Sequence, residues 1–173
     1  MSGANVNAKD GNFSSALLVA TRLGNKKLVE ILIKAGAEPN DSDRRNATPL
    51  NVAIKSNRED LVRMLVKAGA RVNRLPFMDE KETSLMLAAK NGNKEIVKTL
   101  IDAGADINAT TNEGKTALMC FAERGYTDIV KMLVKAGANV GFMNSNDENA
   151  YVLALKNGHE ETAKLLKMHM SDM

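Results

Sequence analysis

Apolar positions along this chain fall into two alternating patterns. Short segments carry apolar residues three apart: Leu17 and Ala20, Leu50 and Ala53, Leu85 and Ala88, Leu118 and Phe121, Tyr151 and Ala154. Between them run denser segments such as Leu28-Val29-Glu30-Ile31-Leu32-Ile33 and Ile129-Val130-Lys131-Met132-Leu133-Val134, with counterparts at 61–66 and 96–101. The first spacing is that of one buried helical face. The second, a broad apolar face interrupted by a charge, suits a helix sandwiched between neighbours. Together they predict ten short helices in five pairs.

The punctuation agrees. Ser15, Thr48, Thr83, Thr116 and Asn149 stand just before the short segments as N-cap residues, and Pro49 follows Thr48 at the favoured first helical position. Gly24, Asn57, Gly92, Gly125 and Gly158 stop each first helix, and Asn is the best substitute for Gly in the left-handed conformation such a stop requires. The second helices close on Gly36-Ala37, Gly69-Ala70, Gly104-Ala105 and Gly137-Ala138, spaced 33, 35 and 33 residues apart, with Gly3-Ala4 another 33 upstream. A period of this length means a solenoid whose units bury their apolar faces only against one another. Polar, turn-rich segments join the pairs, with hairpins expected near 10–12, 43–46, 77–81, 111–114 and 144–147.

The units are expected at about 7–39, 40–72, 73–107, 108–140 and 141–173 of one domain, with 1–6 as the tail of a preceding, incomplete unit. That tail leaves Val19 and Leu23 without an upstream neighbour. Either the chain was cut from a longer array or its opening unit tolerates exposure. In the last second helix, Thr162, Ala163 and Lys167 stand where other copies carry large aliphatics, which predicts a polar outer face.

Helix, tight turn, helix and projecting hairpin, with Thr48-Pro49-Leu50 early and Gly104-Ala105-Asp106-Ile107-Asn108 late, resemble the ankyrin repeat. Gly114-Lys115-Thr116-Ala117-Leu118 and Gly158-His159 match it as well. The resemblance spans essentially the whole chain. It implies an all-α solenoid of ankyrin-type helix–turn–helix repeats with projecting β-hairpin loops, binding proteins through hairpin tips and the concave face of the first helices. Two departures stand out. The histidine that the family places after its Thr-Pro-Leu is replaced by Leu18, Asn51, Met86, Met119 and Val152, so its backbone bonds must be lost or replaced. The glycine usual near the hairpin tip survives only as Gly114, with Phe13, Asn46, Lys81 and Asp147 elsewhere.

Composition changes little in this picture. The chain is 44% hydrophobic and 26% charged, without Trp and with few other aromatics, so aliphatic and Met side chains must fill the core. A net charge of +3 is too weak to argue for nucleic acid. With Cys120 the only cysteine, a disulfide framework is excluded. No apolar run reaches membrane-spanning length, and no apolar signal region opens the chain. The expectation is a cytoplasmic, monomeric protein without cofactor or metal.

Motifs with chemical potential are sparse. Ala109 to Thr116 resembles a relaxed phosphate-binding loop, but the first glycine is Ala109 and no strand precedes it; a hairpin followed by a Thr cap explains the same residues. His159 and His169 are poorly spaced for shared metal coordination. Cys120 has no base nearby in sequence and reads as a small buried hydrophobe. No catalytic constellation emerges, so the chain reads as a non-enzymatic module.

Two features are candidates for binding. A basic residue ends every first helix, at Arg22, Lys55, Lys90, Arg124 and Lys156; the row either faces a partner or merely supplies solubility. The hairpin with the two-residue insertion carries Leu75-Pro76-Phe77-Met78, where Phe77 is either an exposed anchor or folded back on the array. With tip residues Arg44, Arg45, Asp79, Glu80, Asn112, Glu113 and Lys115, these define the expected contact surface for a protein partner. The rival expectation is a regulatory or targeting domain of a larger protein, binding an acidic, phosphorylated or nucleotide ligand through the same row.

Overall fold

Each first helix begins where a side chain closes its opening turn. Ser15, Thr48, Thr83, Thr116 and Asn149 all accept a hydrogen bond from the amide three residues on, at 3.0–3.4 Å. Each such cap stabilises its helix by about 1 kcal/mol. The computed structural model describes residues 3–73 and 82–171. Among them ten helices alternate short and longer: α1 (Ala16–Arg22), α2 (Lys26–Lys34), α3 (Pro49–Lys55), α4 (Glu59–Lys67), α5 (Ser84–Ala88), α6 (Lys94–Asp102), α7 (Ala117–Ala122), α8 (Thr127–Lys135), α9 (Ala150–Lys156) and α10 (Glu160–Ser171). Pairing follows chain order, α1 on α2 through α9 on α10. Each helix also packs on its equivalent in the adjoining pair, α1 on α3 and α2 on α4, and so on down the stack.

The core is therefore a continuous strip rather than a ball. Leu17, Leu50, Leu85 and Leu118 from the first helices meet Val29, Val62, Val97 and Val130 from the second, all essentially inaccessible to water. Burying side chains of this size contributes about 1.5–3 kcal/mol apiece. Phe121, the largest buried side chain, meets the Tyr126 ring edge-on at 6.2 Å. Where the family histidine is absent, Leu18, Met86 and Met119 are buried apolar groups, so its bonds are lost rather than remade there.

Two sets of polar contacts brace the stack, one across each of the first four units and one between successive units. Asn7, Asn40 and Asn108 donate to the carbonyls of Gly36, Gly69 and Gly137, and accept from the amides of Glu38, Arg71 and Asn139. Asn73 does the same with Gly104 and Asp106. At the opposite edge, the residue opening three of the second helices reaches back to the preceding turn. Arg58 donates to the Gly24 carbonyl at 2.9 Å, Asn93 to the Asn57 side chain at 2.9 Å, and the His159 ring to the Glu123 carbonyl at 3.1 Å. A turn glycine matters here twice over: Gly125 has φ +70°, and a Cβ on it would lie 2.4 Å from His159 Nδ1.

The ends depart from expectation in one respect. Val19 is 40% and Leu23 73% exposed at the first short helix. Thr162 and Ala163, expected on a polar outer face, are instead 1% exposed. They occupy the places of Ile129 and Val130, which pack inward, and the Thr162 hydroxyl bonds that of Thr127 at 2.8 Å. Of the three residues, only Lys167 is exposed.

Candidate interaction surface

Each of the four hairpins among the described residues is built around one side chain. Asp10, Asp43 and Asn144 accept, through Oδ1, from the amides two and four residues on, while Thr111 accepts from the Lys115 amide. These bonds fold the four-residue turn closed and leave the two middle residues projecting. The residue ending each turn is left-handed: Phe13, Asn46, Gly114 and Asp147 all have φ between 56° and 72°. Neighbouring tips are also joined through backbone, Arg44 N to Asn12 O at 3.3 Å and Ser145 N to Glu113 O at 2.9 Å. Gly114 permits the closer of these approaches. A Cβ there would stand 3.0 Å from the Met143 carbonyl, so this tip is a packed joint rather than a relaxed turn.

Each tip therefore sets its exposed residues over the end of a first helix. Arg44 lies 5.1 Å from the Phe13 ring centroid, in cation–π contact, and Arg45 is exposed beside it. Asn112 and Glu113 project from the fourth hairpin. The anticipated third-hairpin contacts, Phe77, Asp79 and Glu80, lie outside the described residues.

The basic row is interrupted and largely neutralised. Counting seven residues from each N-cap gives Arg22, Lys55, Lys90, Glu123 and Lys156, so Glu123 occupies the row position and Arg124 lies one residue beyond it. Arg124 instead donates to the Cys120 carbonyl at 3.1 Å. The other members pair with residues flanking the caps: Lys90 with Glu82 at 3.1 Å, Lys156 with Glu148, and Glu123, with the sign reversed, with Lys115 at 2.8 Å. Arg22 reaches Ser14 and the carboxylate of Asp43. Only Lys55, whose flanking residue is Ala47, has no counter-ion among the described residues. Sequence inspection missed this because it matched residue type at the helix end without testing the residue eight positions earlier.

Electrostatics follow from these pairs. Burial opposes ionisation of Asp43, but the Ala47 and Arg45 amides and the Arg22 guanidinium together hold its carboxyl below the ordinary aspartate value. Burial is likewise the largest single influence on the Lys115 ammonium and works against it, yet the bond to Glu123, the nearby Cys120 and the Glu123 charge together raise its pKa. Cys120 behaves oppositely: burial pushes its thiol up to about 11 despite Lys115 and Arg124 nearby. A thiol held in that form is a poor nucleophile. No group of three or more potential metal ligands occurs among the described residues.

Two recesses open between tips and first helices. One, of about 510 Å³, is lined by Asn12, Ser14, Arg22, Asp43, Arg44 and Arg45. The other, of about 320 Å³, includes Glu113, Lys115, Glu123, Ser145 and Glu148. Both are lined by polar and charged side chains, Leu153 excepted.

A family model described as ankyrin repeats (3 copies) matches residues 1–75 and 81–173, and a second, ankyrin repeats (many copies), matches residues 50–101. The chain belongs to the ankyrin-repeat family. Comparison with curated proteins gave no match. Ankyrin repeats are generally protein–protein interaction modules and typically non-enzymatic. In this ankyrin-repeat chain no helix among the described residues is long and apolar enough to cross a membrane.

Proposed function

We propose that the chain is a non-enzymatic interaction module that holds a protein partner in the corner between its hairpin tips and the exposed ends of its first helices. One contrast between the copies supports this reading. Positions that recur from repeat to repeat, the capping hydroxyls, the turn glycines and the Asn ladder, are consumed in internal bonds. Positions that change from copy to copy, Asn12, Arg44 and Arg45, Asn112 and Glu113, Ser145 and Asn146, project from a frame already locked in place. A surface formed before binding loses little entropy when a partner arrives. A nucleotide ligand fits less well, because the Lys115 amine is held by Glu123 and the recesses contain no aromatic ring to stack a base.

Photo-crosslinking from single positions tests the reading in extract of the cells that make the protein. Benzoylphenylalanine at positions 45 and 112 should capture a partner, and the same group at Lys27 or Lys164, on second helices, should not. In this reading Phe77 is an apolar anchor, and Phe77→Ala weakens the captured complex by ~2 kcal/mol or more at every ionic strength. Adducts confined to the second helices would mean that the molecule binds with its back.

A further inference from the structure

We infer that the binding corner is electrically polarised along the stack, and that it fits a protein segment with an acidic end and a basic end. The inference rests on the proposed use of that corner. It comes from the charges that remain among the described residues once internal pairs are set aside. At the first recess, Lys9 pairs with Asp41 and Arg22 with Asp43, while the Asp10 carboxylate is turned into its own hairpin by the amides of Asn12 and Ser14. Arg44 and Arg45 have no counter-ion there among the described residues, and Lys55 extends the same sign along the row.

At the other end the balance reverses. Lys115 and Arg124 share Glu123, and Lys156 is held by Glu148. Glu113 and Asp147, exposed on adjoining tips, have no cation among the described residues. The tip contacts that fix Arg44 over Phe13 and bond Ser145 to Glu113 hold both patches in position.

Separation decides whether two such patches act independently. The first recess lies between hairpins one and two, the second between hairpins four and five, three repeats apart. At about 8–10 Å per packed helix the distance is roughly 24–30 Å, about seven to nine residues of extended chain. Charges interact over about 8 Å at physiological salt, so neither patch cancels the other. A partner segment with carboxylates or phosphates at one end and lysines or arginines at the other would satisfy both. A uniformly acidic partner would meet repulsion at Glu113 and Asp147.

Amide chemical-shift mapping tests this with three probes: hexaglutamate, hexalysine, and a tandem peptide of four Glu, eight Gly/Ser and four Lys. Hexaglutamate should shift Asn12, Arg44 and Arg45, and hexalysine should shift Glu113, Ser145 and Asp147. The tandem peptide should shift both sets and bind at least tenfold tighter than either, because its second contact is intramolecular. R44A/R45A should abolish only the hexaglutamate response, and E113Q/D147N only the hexalysine response. Absence of saturable shifts, one common set for both signs, or hexaglutamate shifts centred on second-helix lysines overturns the inference. If it fails while crosslinks still come from the tips, the interaction-module reading stands; crosslinks from the second helices would remove that reading too.

Discussion

Gly125→Ala probes the joint between the fourth and fifth repeats. Two costs are separable from the geometry. With φ at +70°, an alanine here carries a left-handed penalty of about 1–2 kcal/mol. Its Cβ would also lie 2.4–2.8 Å from three atoms of the His159 ring, which must move and release the Glu123 carbonyl. That bond contributes about 1 kcal/mol, so the total is roughly 2–3 kcal/mol. Gly158→Ala is the control, since it has φ +77° but no atom within 4 Å of the added methyl, and should cost only the backbone share. Urea unfolding followed by far-UV circular dichroism measures both. Placing Gly125→Ala in a His159→Ala background should lower its cost by about 1 kcal/mol, the coupling expected of groups in contact. Equal losses at Gly125 and Gly158, with no coupling to His159, would falsify the account of how successive turns lock together.

Three further outcomes follow from other contacts. Asn108→Ala removes the bonds to Gly137 and Asn139 and should cost roughly 1–2 kcal/mol in urea unfolding, with Asn108→Asp, which keeps the acceptor, losing about half as much. The Asp43 carboxyl is held below its unfolded value, so its contribution is present above about pH 4 and disappears as pH falls through the folded value. Asp43→Asn should therefore show a smaller loss of stability on acidification than the unaltered chain, with equal losses refuting the role assigned to Asp43. Cys120, with its thiol near 11, should resist a disulfide reagent at about pH 8 until urea unfolds the chain, and prompt labelling would contradict its burial.

Nearly all of the fold was legible in the sequence, because the features that define a repeat are local and recur. A cap, a turn glycine and an apolar spacing each announce themselves within a few residues, and five copies confirm one another. The misreadings share a cause: facing is a tertiary property. Thr162 looked outward because it is polar, yet it stands in line with Leu61, Ile96 and Ile129 and finds a hydroxyl on the next helix. Arg124 looked like a member of the basic row because Glu123 precedes it, and only the pairing of Glu123 with Lys115 reveals which residue faces the corner. That Gly114 sits in a packed joint was not legible either, because its neighbour across the joint, the Met143 carbonyl, is 29 residues away in sequence. Polarity of the corner was hidden for the same reason, since it depends on which charges are already matched.

The ladder of Asn side chains gives the molecule a mechanical character. Each rung bridges the segment that opens a unit and the turn that closes it, as Asn40 before α3 joins the Gly69 carbonyl after α4, and the rungs lie in series along the stack. Tension applied at the two termini would thus load every joint equally, and the weakest would part first. A detached repeat of 33 residues releases about 110–120 Å of slack chain, after which the load falls on the next joint. An array of units that contact only their neighbours is expected to lengthen under load in steps, one unit at a time.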